Sequence, residues 1–399
     1  MPPLADVFRS KSGIIAMTAV LLSATAIGAT NLAVLQFAES RLSDYAAAAS
    51  TVGAFGLGNA IGLIIQGRLL DGRRPKLIPI SMALIFLAAI LVGLFWLPAD
   101  GRAYAAAFAI AGASVPAITG FVRAQIPRLY AQEVHISAYS VLAVVFQAGL
   151  AFGPSLTSGI NLTFGSEAPL LAIALIILTT GVLSLSIGRP NPSEERERAA
   201  LRARGRFTKG GGYATLVMAT LAFGFSSGTM IVSIPAILAA THAGPWIGAA
   251  FSAMALGSLA SGIIYGGKRP EGDLSSHLQK SLLISASIAG ILLLTTGHPA
   301  AVIATMLLFG AASAPAGITA SALLDRVVTR ESLATAYTAM IAGNLIAVAA
   351  GSAFAGVAID KFGVQVALPV LPITLSLALV VTFLRRRSIG REATSAPRT

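Results

Sequence analysis

The decapeptide Gly67-Arg68-Leu69-Leu70-Asp71-Gly72-Arg73-Arg74-Pro75-Lys76 concentrates charge between two long apolar stretches. An acid in such a loop can sit at the positive end of a neighbouring helix while the basic residues stay in water or at lipid phosphates. That contact would latch one arrangement of helices, with Gly67, Asp71, Arg73, Arg74 and Lys76 as its parts. The plainer alternative is that these charges only mark a turn. A second pattern, Gly149-Leu150-Ala151-Phe152-Gly153-Pro154, sets two glycines one helical turn apart, so that a neighbouring helix can approach closely. Pro154 can bend the helix that carries it. A third group comprises polar side chains within apolar runs: Asn31, Asn59, Gln147, Ser226, Ser227, Thr229 and Asn344. An amide left facing lipid is costly, so these should face a cavity or another helix. Among them Asn31, Gln147, Ser226, Ser227 and Asn344 are candidates for contact with a small molecule. Glu39, at the end of the first apolar run, is the candidate for proton coupling; the alternative is a surface charge beside Arg41.

The elements that must position these residues are legible from charge spacing. Hydrophobic residues make up 55% of the 399-residue chain and charged residues 11%. A soluble protein carries roughly a quarter charged residues. Stretches free of Asp, Glu, Lys and Arg cover 12–38, 45–67, 77–99, 103–122, 136–166, 168–188, 210–267, 281–324, 332–359 and 362–384. A helix needs about 20 apolar residues to cross the hydrocarbon layer. Eight windows fit one span each. The two long ones break at His242-Ala243-Gly244-Pro245 and Gly297-His298-Pro299, which gives twelve spans. The runs are continuously apolar rather than alternating, which favours helices over a barrel. Arg9 and Lys11 before the first run resemble a signal peptide, but the run continues to Ala38, and it reads as an uncleaved first span.

Six spans precede and six follow the polar segment 189–212, which reads as a linker between an N-terminal bundle (1–188) and a C-terminal bundle (213–399). The halves repeat. Gly72-Arg73-Arg74-Pro75 matches Gly267-Lys268-Arg269-Pro270 at one offset. Gly112, Arg128, Glu133, Ala138, Tyr139 and Gly153 match Gly310, Arg326, Glu331, Ala336, Tyr337 and Gly351 at an offset three residues longer. With six spans between them, the repeats keep one orientation, an architecture known among transporters.

The 67–76 loop resembles the signature loop of the major facilitator superfamily, G-x-x-x-D-R-x-G-R-R/K. Gly67, Asp71 and Lys76 occupy family positions, while Gly72, Arg74 and Pro75 depart from them. The 149–159 segment is similar to the G-x-x-x-G-P-x-x-G-G pattern of drug-exporting members, without its last glycine pair; the Arg that exporters carry in span four is missing. The resemblance implies an all-α membrane protein of twelve transmembrane helices in two parallel-repeat six-helix bundles. It implies secondary transport by alternating access, with efflux of a small amphipathic molecule driven by the proton gradient. An importer of a sugar or other neutral metabolite, or a membrane sensor without transport, are the alternatives.

With the N-terminus in the cytoplasm, all but three of the 28 Lys and Arg residues (Arg41, Arg102 and Lys361) fall on the cytoplasmic side, as the positive-inside rule requires. This accounts for the net charge of +12 without nucleic acid. The expected setting is the bacterial plasma membrane, multi-pass, with both termini cytoplasmic. The expected partners are a small-molecule substrate, protons as a candidate coupling ion, and membrane lipids, with the protein acting as a monomer. No charged residue falls at the middle of a span. His135, His242, His277 and His298 are placed in loops. There is no phosphate-binding loop, cysteine, metal-ligand cluster or nucleophile triad, so neither a cofactor nor enzymatic chemistry is expected. Asn161-Leu162-Thr163 matches a glycosylation sequon and reads as chance.

Overall fold

The computed structural model describes residues 7–42, 44–70, 77–131, 134–187, 211–267, 273–328 and 333–386. Twelve helical segments among them are long and apolar enough to cross a membrane. Spans one to six cover Lys11–Arg41, Tyr45–Gly67, Leu77–Phe95, Gly101–Arg123, Val141–Phe164 and Ala168–Leu185. Spans seven to twelve cover Gly211–Ala240, Gly244–Tyr265, Leu274–Thr295, Pro299–Leu324, Ala339–Phe362 and Val364–Leu384. No strand occurs among the described residues.

The ends of these helices follow from local chemistry. Ser10 caps span one by accepting a hydrogen bond from the Gly13 amide at 2.9 Å, and Asp100 caps span four from the Ala103 amide at 2.9 Å. Gly165 and Gly363, with φ of 83° and 84°, end spans five and eleven in a backbone conformation that glycine adopts at little cost. Span nine corrects the sequence expectation. It begins at Leu274, capped by Asp273, and so carries His277 and Lys280 within its first two turns. A window that excludes every charge cuts a span short where its first turns reach water. His277 is not in a loop: it meets the Tyr265 hydroxyl at 2.9 Å, tying spans eight and nine together. Span four is interrupted. Its helix stops at Ala113 and resumes at Ile118. The Gln66 amide of span two bridges the break, donating to the carbonyls of Ala113 (3.1 Å) and Val115 (2.8 Å) and accepting from the Ala117 amide (3.0 Å).

Close helix crossings repeat in the two halves. A Cβ on Gly112 would lie 2.0 Å from the Phe55 carbonyl oxygen, and one on Gly310 would lie 1.8 Å from that of Met254, joining spans two and four and spans eight and ten. A Cβ on Gly153 would lie 2.5 Å from the Thr25 carbonyl, and one on Gly351 would lie 2.1 Å from that of Phe225, joining spans one and five and spans seven and eleven. Only glycine lets these backbones meet. The repeat-related glycines therefore mark the same seams in both halves, the two-fold arrangement of a parallel repeat. Aromatic side chains collect where spans three, five, eight and eleven end on the side opposite Lys11. Trp96 is 72% exposed there and Trp246 57% exposed, with Phe164 and Phe362 also outside, as at a membrane interface. That side is called distal below, and the side of Lys11 and Leu384 proximal.

Candidate substrate site and gate

The two halves meet through spans one, two and five against seven, eight and eleven. Span two runs antiparallel to span eleven. Gly56 approaches Leu345 and Ala349, Gly53 approaches Ala349, and Gly356 approaches Ala46 and Ala49, where a Cβ would lie 2.3 Å from the Ala49 methyl. Span five runs antiparallel to span eight: the Ser252 hydroxyl donates to the Ala151 carbonyl at 2.7 Å and pairs with Ser155 at 2.8 Å. Gly248 leaves room for the side chain of Ser158. The Tyr45 hydroxyl donates to the Val232 carbonyl at 2.8 Å, linking spans two and seven. Ala49, Val232 and Ala355 pack together from both halves, and Leu32 of span one joins the core of the C-terminal half. Among the described residues these contacts run from the middle of the helices, at Gly56, Leu345 and Ala151, to their distal ends. Toward the proximal side the same helices carry exposed apolar side chains, among them Ile61, Val144, Ile264 and Ile341. Among the described residues, the halves are joined from mid-helix to the distal side.

The polar residues inside the spans fall into different places. Gln147 is half-buried. It lies four, seven, eight and eleven residues before Ala151, Pro154, Ser155 and Ser158, the spacing of one helix face. That face meets span eight through Ala151, Pro154, Ser155 and Ser158. Gln147 thus continues the inter-half face one turn beyond Ala151, toward the proximal side. Gly149 and Gly153 lie on another face, against Leu21, Ala24, Thr25 and Ala29 of span one. Pro154 has no N–H for the Leu150 carbonyl, and that carbonyl is packed over Gly28, where a Cβ would come within 2.6 Å.

Asn344 is half-buried on a different kind of face. Its side-chain oxygen packs over Gly224 of span seven, 2.7 Å from where a Cβ would lie. Leu345, one residue on and the repeat partner of Gln147, is the residue near Gly56 of the other half. Ser226 is fully buried and pairs with Thr374 of span twelve at 2.8 Å, whereas Ser227 and Asn31 are half-buried. Thr229 bonds within its own helix and to the Gly351 carbonyl. Glu39 lies in the last turn of span one, at the distal surface, and lines a cavity of about 510 Å³ there. A larger apolar hollow, about 780 Å³, lies along spans eight and ten and is lined by Leu256, Ala260, Ile264 and Leu307. Gly67 has no neighbour within 4 Å of a Cβ position. Asp71, Arg73, Arg74 and Lys76 lie outside the described residues, as do Glu133 and nearly all of the 189–212 linker.

Sequence reasoning passed over Gln66, Tyr45, Ser252, Ser158 and Gln36. Gln66 carried a signal, an amide one residue before the charged loop. The serines had none, since small hydroxyl residues are common in membrane helices and bond within their own helix as readily as across an interface.

The sequence matches the Major Facilitator Superfamily over residues 16–278, more than half of the chain. The chain belongs to the major facilitator superfamily. No curated protein matches it. Solved structures agree on the fold. A bacterial homologue of the human lysosomal transporter Spinster, in an inward-facing and unoccupied conformation, superposes with a TM-score of 0.72 at 13% identity, over 96% of this chain and 99% of that one. The nucleoside transporter NupG gives 0.72 at 11% identity, over 95% and 99%. A D-xylose–proton symporter gives 0.70 at 14% identity, over 93% and 96%. Membership makes this chain a multi-pass membrane transporter and not an enzyme.

Proposed function

We propose that this protein is a secondary active transporter that moves a small amphipathic molecule across the bacterial plasma membrane by alternating access, exporting it at the expense of the proton gradient. The bundles 1–188 and 213–399 rock as units joined by the cytoplasmic linker 189–212, in a monomer whose termini both face the cytoplasm. The observation that carries this reading is the position of Gln147. It is a half-buried, uncharged amide on the face of span five that meets span eight, one turn beyond Ala151. Asn31, Ser226, Ser227 and Asn344 are further polar candidates, and the apolar hollow along spans eight and ten offers surface for the greasy part of a substrate. The export direction rests on Gly149, Gly153 and Pro154, the segment similar to that of drug exporters. Asp71 with Gly67, Arg73, Arg74 and Lys76 would latch one state, and Glu39 is the residue that would exchange protons.

Spans without a central charge, together with neighbours named as nucleoside and xylose transporters, favour import of a neutral metabolite as the second reading. Both are tested by a substrate screen in everted vesicles, with and without an imposed proton gradient. Export predicts gradient-dependent accumulation inside everted vesicles of an amphipathic compound. Gln147→Ala should then weaken apparent affinity about tenfold, the scale of one lost buried hydrogen bond to a ligand, with an unchanged melting temperature. Accumulation of a sugar or nucleoside in right-side-out vesicles only would establish the import reading instead.

A further inference from the structure

The cavity of about 510 Å³ on the distal surface is built from both halves of the molecule. Span one supplies Gln36, Glu39 and Ser40, spaced so that they share one helix face. Span five supplies Ser158, Asn161 and Leu162, again at spacings of three and four. The far wall is Gly244, Pro245 and Ile247, where the chain turns into span eight. The hollow is open to the distal surface and is larger than a single ion or water fills.

The chemistry of the lining has one sign. Glu39 is its single charged residue, and it forms no ion pair among the described residues. The neighbouring cation, Arg41, is engaged by Glu167, and Ser40 is engaged by Ser166 at 2.7 Å. Two further oxygens in the lining are buried without a hydrogen-bond partner: the Gln36 side-chain carbonyl and the Ser158 hydroxyl. Ser158 is 7% exposed. A buried oxygen without a partner costs free energy, and a carboxylate with two acceptor oxygens beside it calls for a ligand with several donors and a positive charge. An alkylammonium supplies three N–H donors on one cation. Leu162, Pro245 and Ile247 leave apolar surface for its carbon chain.

We propose that this distal cavity binds a protonated primary amine, through Glu39, the Gln36 carbonyl and the Ser158 hydroxyl, and that the bound amine bridges the two halves. Because the lining belongs to both halves only while they are together, occupancy favours the distally closed state. Binding is defined apart from transport, so it stands or falls independently of the direction or substrate of the carrier.

Trp246 lies in sequence between the lining residues Pro245 and Ile247, and Trp96 is the other of the two tryptophans. The purified Trp96→Phe protein in nanodiscs therefore reports on this site by fluorescence. Titration with n-butylammonium chloride should give a saturable change in Trp246 emission and a raised melting temperature. n-Butanol, sodium butyrate and sodium chloride should give neither. Glu39→Gln, nearly isosteric, should weaken butylammonium at least about tenfold, and Ser158→Ala severalfold, the scale of charge-assisted and neutral hydrogen bonds respectively. A flat titration of a protein that melts normally overturns the proposal. So does an equal response to butanol, or an unchanged binding constant in Glu39→Gln.

Discussion

Single residues act here mostly by closing the hydrogen-bond ledger of interrupted helices. Gln66 is the clearest case, since its amide serves both sides of the break in span four. Asp273 does the same for the start of span nine. Its carboxylate takes hydrogen bonds from the Ser275 hydroxyl and amide. The Ser275 hydroxyl, first among the causes, holds the Asp273 carboxyl below the ordinary carboxylate range; burial, the next largest effect, opposes it, and backbone amides and Arg326 add smaller lowering contributions. A folded pKa below the unfolded one contributes stability that is present above the unfolded value and lost as pH falls through the folded one. Asp273→Ala should therefore cost about 1 kcal/mol near neutral pH, as loss of a helix cap does. The difference from wild type should shrink as pH drops below about 4. Asp273→Asn keeps a capping oxygen but no charge, so its own stability lacks this titration and its smaller difference from wild type should likewise shrink as pH falls. Melting curves of all three proteins between neutral pH and pH 3 test this, and a constant gap would mean the charge plays no part in the cap.

At the scale of elements, helix-to-helix glycines divide into those that a methyl group would break and those it would not. Gly112 and Gly310 face a carbonyl oxygen at 2.0 and 1.8 Å from a Cβ position, whereas Gly290 in span nine has nothing within 4 Å. Gly310→Ala should lower stability by at least about 1–3 kcal/mol, the range for overpacking. Gly290→Ala should be neutral or stabilising by about 0.5–1 kcal/mol, because alanine loses less freedom in a helix. Fluorescence-detected size exclusion after a temperature series ranks the two. If Gly310→Ala melts like wild type, spans eight and ten are not held as tightly as this geometry implies.

The whole molecule is governed by how two similar halves share one interface. Among the described residues the polar clasps between the halves are few: Tyr45 to Val232, and Ser252 to Ala151 and Ser155. Each hydrogen bond is worth about 0.5–1.5 kcal/mol net, so Tyr45→Phe with Ser252→Ala should move the ratio of closed to open states by roughly tenfold or more. The natural chain has no cysteine, so spin labels can be placed at Phe164→Cys and Phe362→Cys, on the distal ends of spans five and eleven. Electron–electron distance distributions should gain a longer component in the double variant. Identical distributions would show that apolar packing alone holds the gate. Orientation is open to the same labelling chemistry: Ala200→Cys and Ser395→Cys should resist an impermeant thiol reagent in intact cells, and reaction at position 200 from outside would reverse the assigned topology.

The sequence by itself determined the number of spans, the repeat and most boundaries, span nine with its charged first turns excepted, because the hydrocarbon layer excludes charge and the spacing of charges then marks each crossing. Gly112 with Gly310 and Gly153 with Gly351 carried the repeat openly, since a glycine needed for backbone contact leaves no substitute. Tertiary structure decided what each polar side chain faces. Gln147 and Asn344 look alike in sequence, at similar depth in repeat-related spans. They differ by one residue in the repeat register, and one residue is about 100° of helix rotation. That rotation puts Gln147 on the face shared between the halves and Asn344 against Gly224 of its own half. Likewise Glu39 reads as the end of one helix. Only the packing of spans one, five and eight turns it into the charged wall of a cavity with Gln36 and Ser158. Depth along a helix is a one-dimensional quantity that composition fixes, whereas direction around it acquires meaning only from the neighbours that each face meets.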